Sequence, residues 1–168
     1  MTVYAKIDSP LGELLLVGER SATAPGGIAL TALSVPGQRG GVTVRPEWTE
    51  DACAFVAIIV QLRAYFAGVE TRFDIEFTSS GTDFQQRAWR ALEEIPYGVT
   101  ATYGEITARI GAPRERTRAV AAAIGANPLL VVRPCHRVIA AGGALTGYSG
   151  GLERKQRLLE LEQVLLPV

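Results

Sequence analysis

The stretch that decides how this chain folds runs from Tyr103-Gly104-Glu105-Ile106-Thr107-Ala108-Arg109-Ile110, through Gly111-Ala112-Pro113, to Arg114-Glu115-Arg116-Thr117-Arg118-Ala119-Val120-Ala121-Ala122-Ala123-Ile124-Gly125-Ala126. Ile106 and Ile110 share one helical face, Val120 and Ile124 another, and the glycine-containing turn separates the two runs. Helix, tight turn, helix is the helix-turn-helix pattern. It is short and common, hence weak by itself. Arginines on the second helix strengthen it, because a DNA reader carries its cations there. Ala121-Ala122-Ala123 adds a small-residue face suited to close approach.

The charge around this stretch is uneven. The 168-residue chain has 17 basic and 17 acidic side chains and no net charge, which by itself argues against a generic nucleic-acid or membrane-surface binder. Residues 1–82 hold 6 basic against 9 acidic groups, whereas 83–168 hold 11 against 8. Arg109, Arg114, Arg116, Arg118, Arg133 and Arg137 face only Glu115 within 109–137. A solvated face can look the same, but six arginines and no lysine suit bidentate contacts to phosphate.

Apolar residues make up 48% and charged residues 20%, so the chain is globular and long enough to bury a core. With one histidine and two cysteines, neither a four-ligand zinc site nor a disulfide framework is expected, and no cofactor is implied. No signal peptide stands at the N-terminus, and the apolar run Ala52–Val60 is too short to span a bilayer. These features predict a cytoplasmic protein without membrane contact.

Upstream, alternation in Val3–Asp8, the turn Ser9-Pro10-Leu11-Gly12 and a second apolar strand begin a small α/β unit. A loop is expected at Pro36–Gly41, a helix over 50–67 closed by Gly68, and a strand at Phe73, Ile75 and Phe77. Cys53 is expected to be a buried thiol in that helix. Ser79-Ser80-Gly81 marks the seam. Thr82 with Gln85 forms a capping box opening a helix whose face holds Phe84, Ala88, Trp89 and Leu92, and Pro96-Tyr97-Gly98 stops it. The predicted fold is α+β. A small α/β domain with an antiparallel sheet occupies 1–80, and a mostly helical domain with the helix-turn-helix occupies 81–168.

Downstream of the helix pair, Asn127–Val138 contains Pro134-Cys135-His136-Arg137 and the only histidine. A bare Cys-His pair is more often a core thiol beside a satisfied histidine. Neighbours in an extended segment point to opposite sides, so His136 could take the Cys135 proton only through a bridging water or an irregular turn. Pro134 holds Arg133 extended. A papain-like protease draws its cysteine and histidine from distant segments, and thioredoxin chemistry needs a second nearby cysteine.

Asn127-Pro128 with Pro134-Cys135-His136-Arg137-Val138 resembles the active-site motif of O6-alkylguanine-DNA alkyltransferases, also called methylated-DNA–protein-cysteine methyltransferases. The resemblance covers roughly 83–163. It takes in Phe84-Gln85 with Trp89, Ile95-Pro96-Tyr97-Gly98, Tyr103-Gly104-Glu105, Arg118-Ala119-Val120, Gly147-Tyr148-Ser149-Gly150-Gly151, and Leu158-Leu159 leading to Glu162. It implies single-turnover repair in which the Cys135 thiolate takes the alkyl group from O6 of a guanine in double-stranded DNA. By the same resemblance His136 is the base, acting through water, Glu162 orients it, and Asn127 organises the turn before the cysteine. Tyr103, Tyr148, the Ser149 backbone and the Val138 backbone would line the pocket for a flipped base.

Arg118 and Ala119, with Arg114, Arg116 and Arg137, would face DNA, Arg118 entering the base stack from the minor groove. A monomer that clusters on DNA is compatible with this. Three positions depart from the family pattern. Arg133 stands where an apolar residue is usual, Ala121 where glycine is common, and the Tyr103–Arg118 stretch is about one residue longer than the family's, which lets Arg116 share the intercalating role. The alternative is a non-catalytic alkylated-DNA binding module; such relatives lack the cysteine that Cys135 supplies. A transcription regulator is disfavoured by the lack of a sensing or dimerisation segment.

Overall fold

A computed structural model describes residues 1–164. The chain forms two compact units, Met1–Ser79 and a second beginning at Ser80. The first is built on a four-stranded sheet in the order β3-β2-β1-β4, with β1 Thr2–Ile7, β2 Leu14–Arg20, β3 Ile28–Ser34 and β4 Thr49–Glu50. β1 buries Val3, Ala5 and Ile7 and turns Tyr4 and Lys6 outward, the alternation a one-sided sheet requires. β1–β2 and β2–β3 are antiparallel, but the short β4 runs parallel to β1, so the sheet is mixed. The β2–β3 register shifts at Val17/Gly18, where a Cβ on Gly18 would lie 2.6 Å from the Ile28 side chain and 2.8 Å from the Ala29 carbonyl.

Three expectations are corrected here. The segment expected as one helix over 50–67 divides into β4, a 3₁₀ turn at Ala52–Phe55 and α1, Val56–Phe66. The Asp51 carboxylate accepts from the Ala54 N–H at 3.2 Å and so caps the chain after Glu50. Cys53 is exposed, not buried, because this first turn directs Phe55 inward in its place. Residues 73–77 form no regular strand. They meet β3 through a single parallel bridge, Leu30 to Phe77, with the Leu30 N–H donating to Glu76 and the Thr78 N–H to Leu30.

The second unit is helical apart from a two-stranded parallel ribbon. Its helices are α2 Asp83–Glu93, α3 Tyr103–Arg109, α4 Thr117–Gly125 and α5 Leu152–Leu161. α2 starts on the Thr82–Gln85 capping box, with bonds of 3.1 and 3.0 Å. Trp89 is buried, and its Nε1–H donates to the Ala123 carbonyl at 2.8 Å, tying α2 to α4. α3 and α4 form the helix-turn-helix; Gly111, at φ 72°, ends the first, and a 3₁₀ turn at Arg114–Arg116 opens the second. The ribbon pairs β5, Ala101–Thr102, with β6, Val138–Ile139. Because the pairing is parallel, the Cys135–Arg137 segment that precedes β6 lies level with the chain leading into β5, and Tyr103 follows directly at the start of α3. No helix among the described residues is long and apolar enough to cross a membrane.

Candidate active site

The chain between α4 and β6 folds around the Asn127 side chain. Asn127, buried, donates through Nδ2 to the carbonyls of Leu129 (3.2 Å) and Arg133 (3.1 Å), and its Oδ1 accepts from the Leu129 N–H at 3.0 Å. The enclosed loop is strained. Val131, a β-branched residue, sits at φ 70° under a Val132 N–H to Leu130 carbonyl bond of 2.8 Å, a conformation that costs about 1–3 kcal/mol. Pro134 (φ −79°, ψ 59°) centres a second tight turn, closed by the Cys135 N–H on the Arg133 carbonyl at 2.7 Å. Cys135–Arg137 then forms a 3₁₀ turn. Of the two routes open from sequence, this backbone is the irregular turn, so the opposed-neighbour rule of an extended segment does not apply.

All three residues of the turn are buried. His136 Nε2 bonds Glu162 Oε2 at 2.8 Å, and Arg137 grips the same carboxylate with Nε at 2.8 Å and Nη2 at 3.0 Å. Burial alone would raise the Glu162 pKa, but the hydrogen bonds and charges of His136 and Arg137 hold it down at about 2, so the carboxylate is ionised. An ionised carboxylate fixes the His136 proton on Nε2 and leaves Nδ1 as the basic nitrogen. Nδ1 is buried and has no hydrogen-bond partner among the described residues. Burial lowers the His136 pKa and raises that of the Cys135 thiol, while Asn127, Lys155 and Arg133 pull the thiol back down. Both groups therefore rest neutral. Reaction at sulfur requires a proton acceptor, and the unpartnered Nδ1 is the one nearest in the chain.

Arg137, expected at the DNA surface, is instead internal. It is 7% exposed, its Nη1 donates to the Ile95 carbonyl at 2.6 Å, and its guanidinium lies 5.9 Å from the Tyr97 ring. A bidentate arginine closing on a buried carboxylate explains why it turns inward.

α3, the 140–151 loop and α5 bring further polar groups within electrostatic reach of the thiol. Tyr103 OH donates to the Thr146 carbonyl at 2.7 Å, so its hydroxyl is already engaged. The Tyr148 hydroxyl is buried without a partner among the described residues, and burial raises its pKa well above the usual value. Lys155, 1% exposed, donates to the carbonyls of Thr146 (3.2 Å) and Gly147 (3.1 Å) and lies 5.8 Å from the Tyr103 ring centre. Burial lowers its pKa to about 8, with Cys135 opposing. Tyr103, Tyr148 and Lys155 all share an electrostatic environment with the thiol. Val138 is fully buried in β6, and Ser149 is half-buried beside Tyr148. Two unpartnered buried polar atoms beside one thiol are unusual in a folded core and suit a site whose ligand completes them.

Lys155 escaped the sequence reading, although a signal existed. Lys155, Leu158, Leu159 and Glu162 recur at i, i+3, i+4 and i+7, which puts one lysine and one glutamate on the buried stripe of α5. The helix-turn-helix presents the other cations. Arg114, Arg116 and Arg118 are exposed and Ala119 is half-buried. Arg116 stacks over the Phe84 ring at 4.8 Å, whereas Arg118 makes no hydrogen bond or ion pair among the described residues.

Residues 83–164 match the family described as 6-O-methylguanine DNA methyltransferase, DNA binding domain. The methylated-DNA–protein-cysteine methyltransferase of Mycobacterium bovis is 50% identical over 167 residues, spanning 99% of this chain and 96% of that protein. The chain belongs to the methylated-DNA–protein-cysteine methyltransferases. A member of this methyltransferase family from Methanosarcina acetivorans is 43% identical over 95% of the chain and 97% of its own length. The crystal structure of the Mycobacterium tuberculosis OGT in complex with DNA superposes with a TM-score of 0.87 at 51% identity, covering 96% of this chain and 93% of that one. In this methyltransferase the α+β fold holds over both units.

Proposed function

We propose that Cys135 is the alkyl acceptor, His136 Nδ1 its base and Glu162 the carboxylate that orients the base. The protein carries out direct-reversal DNA repair, transferring an alkyl group to its own cysteine. The proton leaves Cys135 for Nδ1, directly or through one water. The thiolate attacks the alkyl carbon, forming an S–C bond as the C–O6 bond breaks, and the guanine departs as an anion that takes up a proton. No step regenerates the thiol, so each molecule acts once. The observation that carries this reading is the pairing of a buried Cys-His turn with an ionised Glu162 that leaves Nδ1 as a free base.

The partner is double-stranded DNA containing O6-alkylguanine, bound by a monomer. A base inside the stack cannot reach a buried thiol, so the nucleotide is flipped, and Arg118, without a partner among the described residues, fills the gap. Tyr148 and the Ser149 backbone pack on the flipped base, while Tyr103 exchanges its Thr146 partner for it and offsets charge developing on the leaving guanine. Val138 presents backbone to the guanine edge. Arg114 and Arg116 add phosphate contacts. The setting is the cytoplasm, where a thiol stays reduced until it meets a lesion. In the test, the protein is mixed with an oligonucleotide containing O6-methylguanine and analysed by intact mass and peptide map. One methyl group on the Cys135 peptide is expected. An unmodified protein that still binds the lesion would make this a non-catalytic binding module.

A further inference from the structure

Arg133 is the one buried cation of the active-site turn to which the reaction above gives no task. It is 4% exposed, and Glu93, Asn127 and Trp89 hold its guanidinium. Nε donates to Glu93 Oε2 of α2 at 3.1 Å, Nη1 donates to Asn127 Oδ1 at 3.3 Å, and the plane lies 5.0 Å from the Trp89 ring centre. Burying a guanidinium is costly, and a merely structural filler before Pro134 needs only an apolar side chain. The contact with Asn127 gives the charge a consequence, since the same amide bonds the Arg133 carbonyl, which in turn accepts the Cys135 N–H.

We propose that Arg133 is a positioning residue for the nucleophile. Anchored by Glu93 and Trp89, it locks Asn127 in the orientation that shapes the Cys135 turn and places a fixed positive charge two residues before the nucleophile. This rests on Cys135 being the alkyl acceptor. The geometry is directional: Glu93 takes the Nε side of the guanidinium, and the Nη1 side faces Asn127 and the turn. Burial weakens Arg133's hold on its proton, but Glu93 and Cys135 both strengthen it, so the side chain stays charged. The other ionisable groups around the sulfur are His136 and Arg137 on its own turn, Lys155 and Glu162 from the α5 side, Tyr103 of α3 and Tyr148 of the loop.

The rate of Cys135 alkylation by free O6-benzylguanine, whose benzylic carbon is activated for displacement, is measured against pH. Arg133→Met should move the midpoint up by about one unit, lowering the rate about tenfold on the acid side and converging with wild type at high pH. Arg133→Lys, which restores the charge, should recover at least half of that shift. Glu93→Gln, which removes the neutralising charge from a half-exposed position, should move the midpoint the other way, raising the acid-side rate about twofold. Should Arg133→Met not fold, the sign of the Glu93→Gln shift decides. A wild-type midpoint in Arg133→Met, a lysine variant no better than the methionine one, or a Glu93→Gln midpoint unmoved or raised would overturn the proposal. Failure of the wild type to accept the benzyl group would count against Cys135 as acceptor. Carbamidomethylation of the Cys135 peptide by iodoacetamide would then read the thiolate midpoint of the same variants, with the same outcomes deciding.

Discussion

Arg118 and Arg137 lie nineteen positions apart in one arginine-rich segment, yet they have nothing in common in the folded protein. Arg118 projects from α4 into solvent with no partner among the described residues, whereas Arg137 is buried and clasped to the carboxylate that also bonds His136. Arg114 and Arg116 side with the first, Arg133 with the second. The contrast teaches that local charge density is not a binding surface. Part of the positive tally in 109–137 is consumed internally by Glu162 and Glu93, and the cations left facing outward are Arg109 at the end of α3 and those at the start of the second helix of the motif.

The contrast can be broken most forcefully at its buried end. Glu162→Gln should destabilise the protein by about 3 kcal/mol at neutral pH, because it leaves the Arg137 charge uncompensated in the interior. The loss should be pH-dependent. A carboxyl held at about 2 in the fold, below its ordinary value of 4.5, contributes stability above 4.5 that disappears as pH falls toward 2. Chemical denaturation of both proteins from pH 7 to pH 3 should therefore show the wild-type advantage shrinking with acid; a constant gap would mean that Glu162 is not ionised in the native state.

At the exposed end the expected signature is the reverse. Arg118→Ala should leave stability within about 0.5 kcal/mol of wild type yet slow alkyl transfer from duplex DNA roughly 10- to 100-fold, since an unfilled gap no longer offsets the few kcal/mol of unstacking. Transfer from the free base should be unaffected. Equal slowing with both substrates would remove Arg118 from base flipping. The smallest effect belongs to Arg114→Ala. It should reduce the dependence of log binding constant on log salt by about one unit, equally for damaged and undamaged duplexes. An unchanged slope would show that this cation does not meet a phosphate.

Local signals in the sequence were read well where one residue's chemistry suffices. The Thr82–Gln85 capping box, the core position of Trp89 and the glycine that ends α3 each follow from a side chain or a φ preference that acts within one turn of the chain. Elsewhere the same habits misled. Alternation at Phe73, Ile75 and Phe77 suggests a strand, but only one bridge forms, because a strand needs a partner edge in register and β3 lends it a single residue. Cys53 fits an apolar helix face until Asp51 caps a 3₁₀ turn that sets the phase differently. At the site, Cys135 and His136 stand out as the chain's lone adjacent thiol and imidazole, and Glu162 was reached through resemblance. Lys155 and the Arg133–Glu93–Asn127 contacts went unseen, since a lysine in a Leu/Glu helix looks solvated unless the stripe it belongs to is known to face inward.

What the sequence determined by itself is a matter of short range. It specified the capping box that opens α2 and the glycine that ends α3, that a thiol and an imidazole adjoin after one proline, and that the second half carries the excess of cations. The tertiary structure alone decided which of those cations remain available to DNA, how the histidine's proton is assigned and where the strain at Val131 is held. The physical reason is that ionisation and exposure are set by what packs against a group from distant segments. α5 brings a carboxylate to Arg137 and His136, α2 brings one to Arg133, and no residue's neighbours along the chain record those encounters.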